Sequence, residues 1–434
     1  MLLSGTVIAD ADTVIADGAV VVEDDRIVTV GDRSDCIERY PDHERRSYDL
    51  LAPGTVGAHV HSVQSLGRGI ADDTALLEWL FDYVLPMEAS LSAEEMRTAA
   101  ELGYLEMIES GTTTCIDHLS VHHAEEAFEA ARDLGIRGRL GKVMMDKESP
   151  DGLLEDTDEA LAESERLIQR YHGAADGRIR YALTPRFAVS CTEECLRGSR
   201  ALADEYDGVR IHTHASENRD EVATVEKETG RRNVHWLDEV GLTGEDVVLA
   251  HCVWTDESER EVLAETGTNV TYCPSSNMKL ASGVAPIHDY LDRGINVALG
   301  NDGPPCNNTL DPFTEMRQAS LLQKVERLEP QALPAPTVFE MATINGARAA
   351  GFDRVGALRE GWKADIVGLE TDLTRATPIH DVLSHLVFAA RGDDVQFTMV
   401  DGNVLLDDGE VLAADADAIR ERAREFAADL EVAP

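Results

Sequence analysis

Pro53-Gly54-Thr55-Val56-Gly57-Ala58-His59-Val60-His61 decides how this chain is read, because a short apolar run there ends in two histidines at i and i+2. Side chains alternate faces along a β-strand, so on a strand His59 and His61 point the same way. A helix of ~3.6 residues per turn would set them about 200° apart around its axis. The spacing therefore predicts a strand whose end carries half of a metal site. A catalytic zinc takes about three protein ligands and keeps a position open for water. The other ligands must then come from distant parts of the chain.

Working outward, seven more short apolar runs of the same texture follow, each ending in polar residues. The strands are expected at 55–61, 112–118, 139–145, 178–184, 209–214, 247–251, 269–273 and 296–299, with helices between them such as 93–109, 125–134, 155–171 and 257–265. Eight strand-helix units in about 300 residues predict an α/β fold, a (β/α)8 barrel. Outside them the pattern changes to period-two alternation broken by Asp and Gly, once before residue 52 and again in 364–369, 397–402 and 404–406. Each set has too few strands to bury a core alone, so the two are expected to form one small composite β-sandwich. The expected organisation is residues 1–52 as the N-terminal part of the sandwich, 53–353 as the barrel, and 354–434 as the C-terminal part with a terminal helix.

A barrel places its chemistry just after its strands. The first run ends in His59 and His61, the fifth in His212-Thr213-His214-Ala215-Ser216-Glu217, the sixth in His251 and the eighth in Gly300-Asn301-Asp302-Gly303. His59, His61, His214 and Asp302 form a set of three nitrogens and one oxygen suited to a single divalent ion, Zn2+ first and Fe2+ second. Glu217, three residues past His214, is placed to carry a proton, and His251 to orient the attacking water. His212 shares a strand face with His214 and is read as a deeper, hydrogen-bonded barrel residue, with a ligand role as the alternative.

The formal charge of -43, from 82 acidic and 39 basic residues, excludes nucleic acid and anionic membrane surfaces as partners. The acids are spread along the whole length, a habit of proteins from salt-loving cytoplasms, where salt screens self-repulsion. No run of about 18 apolar residues and no leader-like N-terminus is present, so a soluble cytoplasmic protein is expected. A homo-oligomer is compatible with this composition. Seven cysteines without a CxxC pair predict buried thiols, including Cys191 and Cys195 at helical spacing.

With these motifs in place, the chain resembles the amidohydrolase superfamily, and within it the cytosine-deaminase-like branch of mononuclear deaminases and chlorohydrolases. The likeness runs from Pro53-Gly54 through His59-Val60-His61, His214 to Glu217, Ala250-His251-Cys252 and Asp302-Gly303 to Gly361-Trp362-Lys363-Ala364-Asp365-Ile366-Val367. It implies metal ligands at His59, His61, His214 and Asp302, a proton shuttle at Glu217 and a catalytic histidine at His251. The fourth run ends without the lysine that bridges two metals in binuclear relatives, which implies one ion. Hydrolytic deamination of a nitrogen heterocycle is the implied activity.

The substrate motifs point two ways. Trp79-Leu80, Val84-Leu85-Pro86-Met87-Glu88 and Cys306-Asn307-Asn308 are similar to methylthioadenosine and S-adenosylhomocysteine deaminases, where Glu88 would hold a ribose or purine group. Gln64 and Thr184-Pro185-Arg186-Phe187 instead resemble guanine deaminases, with Arg186 and Gln64 on the purine carbonyl and ring nitrogens. Trp79 is a candidate lid over a planar ring, and His118, His122 and His123 are candidates for the pocket rim. An s-triazine amino- or chlorohydrolase is the alternative enzyme reading. A metal-holding barrel that binds a nucleobase without turning it over is the alternative of another class.

Overall fold

The computed structural model describes residues 1–430. Each apolar run becomes a strand: β1 (Thr55–Val60), β2 (Thr112–His118), β3 (Arg137–Gly141), β4 (Ile179–Pro185), β5 (Arg210–Ala215), β6 (Val247–His251), β7 (Asn269–Tyr272) and β8 (Val297–Leu299). They pair in parallel and in chain order. The last strand returns to the first, where the Asp302 N–H donates to the His59 carbonyl at 2.9 Å. The third strand is the one that departs from expectation. It ends at Gly141, and a short segment, Val143–Met144, pairs separately with Thr184 and Pro185. Between them the Lys142 side chain turns away to pair with Glu155, while its carbonyl accepts from the Thr184 hydroxyl at 2.6 Å.

Local sequence explains where the helices begin and end. Ala93–Glu109 opens on a reciprocal cap between Ser92 and Glu95, and Glu257–Thr266 on the same device between Asp256 and Glu259. The second of these stops at Gly267, whose φ of +72° terminates the turn without a Cβ penalty. No helix among the described residues is long and apolar enough to cross a membrane. All seven cysteines are buried free thiols.

Both ends of the chain build the second layer. Its hydrogen-bonded order is Glu410–Val411, Asn403–Asp407, Val395–Val400, Ile366–Leu369, Arg45–Pro53, Leu2–Asp10, Thr13–Glu23 and Arg26–Asp32. Most neighbours are antiparallel, but Leu2–Asp10 runs parallel to Arg45–Pro53. The sheet curls until Ile27 exchanges hydrogen bonds with Gly361 and Trp362 at 2.7 and 2.9 Å. Its two halves then face each other over a core that includes Leu3, Val20, Ile27, Leu51, Ile366 and Phe397. This is the composite sandwich expected from the two terminal strand sets. Gly54 alone separates it from β1, and a Cβ there would lie 2.2 Å from the Thr113 side chain.

Arg137, at the start of β3, ties the two layers together. Its guanidinium pairs with Asp365 at 2.7 Å and with Asp401 at 2.5 Å, all three side chains being nearly dry. Lys363 reaches Asp401 at 2.9 Å. Burial pushes the Asp401 carboxyl up, but Arg137 and Lys363 outweigh it and hold the group below its usual range. A carboxylate with a depressed folded-state pKa stabilises the fold above its unfolded value and loses that contribution as pH falls through the folded one. Arg137→Met should therefore cost about 3–5 kcal/mol of stability at neutral pH and flatten the acid limb below about pH 4. Urea unfolding at fixed salt across pH measures both.

Candidate active site

Four buried side chains meet at the C-terminal mouth of the barrel: His59 near the end of β1, His61 just after it, His214 from β5 and Asp302 after β8. Nε2 of His59 and Nε2 of His61 lie 3.3 and 3.4 Å from Asp302 Oδ1, and the Nε2 atoms of His61 and His214 are 3.2 Å apart. Four ligands bonded at about 2.1 Å on a tetrahedron would be about 3.4 Å from one another. His59 Nε2 also has no hydrogen-bond partner although it is buried. The donor set, its spacing and the orphaned nitrogen all fit one divalent ion.

The opposite nitrogens of the same rings are all engaged. His61 Nδ1 donates to the His118 carbonyl and His214 Nδ1 to the Arg186 carbonyl, both at 2.7 Å. His59 Nδ1 lies 2.8 Å from His212 Nε2, and His212 Nδ1 donates to the Val248 carbonyl at 3.0 Å. That last bond fixes the His212 tautomer with its lone pair on Nε2, so His59 donates from Nδ1 and turns Nε2 towards the cluster. His212 thus stands behind a ligand and is not one itself. Burial pushes the His61, His212 and His214 imidazoles well below their usual range, which keeps the ligand lone pairs free.

Glu217 and His251 face this cluster from neighbouring strands. Glu217 Oε2 is 3.6 Å from His251 Nε2, which is 3.8 Å from Asp302 Oδ2. Asn277 donates to His251 Nδ1 at 3.0 Å, leaving the ring proton on Nε2, directed at the two carboxylates. Burial holds His251 down to about 3, so the ring is neutral. Burial, reinforced by Asp302 and Glu221, pushes Glu217 well above the carboxylate range. An acid so displaced holds its proton more tightly than a free carboxyl does and can pass it within the site. The strand ends that deliver these groups are strained: Ser216, His251 and Asp302 have φ of +52°, +73° and +60°.

Several supporting residues carry no role in the sequence reading. The Glu221 carboxylate accepts from the N–H groups of Ser216 and Glu217 at 3.1 and 2.6 Å and holds that turn. Ser276 donates to Asp302 Oδ2 at 2.7 Å and Ser282 to Glu217 Oε1 at 3.3 Å. Ser276 and Asn277 follow β7, a strand end from which no catalytic or metal-binding residue was expected.

The cavity above the cluster is lined by His61, Leu76, Trp79, Leu80, Arg186, Phe187, His214, Glu217 and Asp302. Trp79, Arg186 and Phe187 therefore reach it as expected. Gln64 and Glu88 do not: they lie one layer behind Arg186. Glu88 accepts from Gln64 at 2.7 Å, from Ser120 at 3.0 Å and from the Arg186 guanidinium at 3.3 Å. His118 is wholly buried behind the ligands, with both ring nitrogens unpartnered. His122 and His123 are exposed.

Fold and site together define a metal-dependent barrel hydrolase. The chain belongs to the amidohydrolase family, whose model matches residues 50–405; a model of the imidazolonepropionase-like composite domain matches residues 18–42. It is 46% identical over 382 residues to a 5'-deoxyadenosine deaminase of Methanothermobacter thermautotrophicus, covering 88% of this chain and 87% of that protein. It is 44% identical over 381 residues to a 5-methylthioadenosine/S-adenosylhomocysteine deaminase of Haloarcula marismortui, with the same coverage of 88% and 87%. An adenosine deaminase structure from Xanthomonas campestris with bound zinc superposes with a TM-score of 0.92 at 31% identity, over 99% of this chain and 98% of that one. The chain is a hydrolytic deaminase.

His212→Phe keeps the ring's bulk but removes the acceptor that orients His59. Metal affinity should fall about 10–100-fold with the fold retained, measured by competition with a chromogenic chelator. His61→Ala should bind no stoichiometric metal under the same conditions.

Proposed function

We propose that this enzyme removes the amino group of an adenine ring in a 5'-modified adenosine, with one zinc ion held by His59, His61, His214 and Asp302. The observation that carries the reading is the meeting of those four ligand atoms with the Glu217–His251 pair at one point on the cavity floor. A bound zinc ion would act there as a Lewis acid and make a water nucleophilic near neutral pH. Glu217 accepts the proton that this water loses on attacking the ring carbon, and passes it to the adjacent ring nitrogen. The proton of the hydroxyl now on that carbon then goes to the exocyclic amino group, which departs with the C–N bonding pair as ammonia and leaves a carbonyl in its place. His251, with its proton on Nε2, donates to the attacking oxygen and fixes its direction. Trp79 and Phe187 provide flat apolar walls for the purine.

Two observations favour the adenosine class over a free guanine base. The relatives of 46% and 44% identity are named for 5'-modified adenosines. Arg186 and Gln64, the donors on which the guanine reading depends, are both turned onto Glu88. The net charge of -43 supports work in a salt-rich cytoplasm.

Ammonia release in high salt from 5'-deoxyadenosine, methylthioadenosine, S-adenosylhomocysteine, adenosine, guanine and an aminotriazine tests the class, with chloride release from a chlorotriazine as a separate arm. The first three should turn over with the highest kcat/KM. Preferred turnover of guanine or a triazine would replace this reading, and inactivity of the zinc-loaded chain on all of them would favour a binding role. Glu217→Gln should keep its metal and lose about 10²–10⁴-fold in kcat; unchanged turnover would remove Glu217 from the proton path.

A further inference from the structure

The opposite, N-terminal end of the barrel carries a different chemistry. Arg139 on β3 pairs in register with Arg180 on β4, and Arg210 on β5 pairs with Ala182, two residues beyond Arg180. Residues in register and two apart share a face, so three guanidinium groups leave the same side of three adjacent strands. Arg348 and Phe352 close in from the segment that follows the barrel, and together these residues border a cleft of about 530 Å³. The Phe352 ring centroid lies 4.6 Å from Arg180 Cζ and 5.9 Å from Arg139 Cζ.

In a chain with 82 acidic residues, this cluster is only partly compensated: Asp204, Asp207, Asp246 and Asp353 also border the cleft, but none of them pairs with these four arginines. Among the described residues, no carboxylate comes within 4 Å of Arg139, Arg180, Arg210 or Arg348. Their partners are neutral: Arg139 donates to the carbonyls of Ala350, Tyr181 and Gly208 at 2.6, 2.7 and 2.9 Å, and Arg210 to that of Glu245 at 2.7 Å. The nearby Arg200 is different, paired with Asp204 and Asp246 at 2.6 and 2.8 Å. Arg139 is buried along its side chain and borders the cleft. Like charges placed opposite each other on neighbouring strands destabilise a sheet, and a buried charge without a counter-charge is costly. A guanidinium cannot shed its proton to escape. Burial, followed by the Arg210 and Arg180 charges, accordingly works against the charged form of Arg139.

We propose that the closed end of the barrel binds a phosphate-type oxyanion between Arg139, Arg180, Arg210 and Arg348. Guanidinium forks match the oxygen spacing of phosphate, and the ion brings negative charge into direct contact with the four arginines, which the aspartates at the cleft border do not. The site is separate from the deaminase centre and independent of its substrate.

Thermal unfolding of the full chain tests this, with inorganic phosphate replacing chloride at constant ionic strength. Tm should rise saturably, by about 3 °C at the plateau. Arg180→Gln should raise the half-saturating phosphate concentration about tenfold. Arg348→Gln, an exposed position whose loss leaves folding intact, should do the same and carries the comparison if Arg180→Gln does not fold. A rise that never saturates and is equal in wild type and variants is the general salting effect of phosphate and would overturn the proposal. So would the absence of any rise.

Discussion

Three imidazole nitrogens and a carboxylate oxygen are held 3.2–3.4 Å apart in a buried place, and the rest of the mouth depends on that constraint. Lone pairs so close together repel unless a cation lies between them, and histidines left to themselves would rotate away. Here each ring is fixed from behind: by the His118 carbonyl, the Arg186 carbonyl, and His212 with the Val248 carbonyl beyond it. The His118 and Val248 carbonyls belong to strand backbones, and the Arg186 carbonyl comes directly after β4. Preorganisation of this kind means that binding the ion requires little reorganisation of the protein.

The same logic accounts for the proton-handling pair. Glu217 is displaced upward by burial and by two nearby carboxylates, while His251 is displaced downward by burial. Two titratable groups pushed apart in opposite directions within 3.6 Å of each other are the arrangement that a division between acid and base requires. Neither shift is a property of the residue alone. Glu221 holds the Glu217 turn through backbone N–H groups, and Asn277 selects the His251 tautomer. The left-handed backbone at Ser216, His251 and Asp302 is what aims these groups inward from the ends of straight strands.

Much of this was legible in the sequence because strand period and strand-end position are local signals. The i, i+2 histidines, the eight apolar runs and the residues after runs one, five, six and eight located the barrel and the four side chains that meet at its mouth without any long-range information. The third strand misled because its apolar run, 139–145, continues through Lys142, and only the pairing of that lysine with Glu155 shows that the ladder stops at Gly141. His212 was ambiguous because face alternation cannot tell the first layer around an ion from the second. The hydrogen bond to Val248 decides it, and that bond spans two strands. Gln64 and Glu88 were placed in the substrate's path by motif alone, while their burial behind Arg186 is a matter of packing that no short pattern carries.

The contrast between floor and roof bears on how such a scaffold changes substrate. The floor consists of strand ends locked by backbone hydrogen bonds, and altering it removes the chemistry. The roof is a separate segment: Leu76–Glu78, a wide π-helical turn over Trp79–Val84, and Leu85–Ser90. Of its residues, Leu76, Trp79 and Leu80 face the cavity through apolar contact, and the Trp79 indole N–H has no partner. Apolar packing is non-directional, so such a segment can be reshaped without disturbing the ligand geometry below it. Between the two lies the buried Arg186–Glu88 pair, with Arg186 bordering the cavity and Glu88 one layer behind it. Through this contact the wall of the cavity is coupled to Gln64 and Ser120, which share the Glu88 carboxylate with the arginine, so a change in the roof that displaces Arg186 also disturbs the packing behind it.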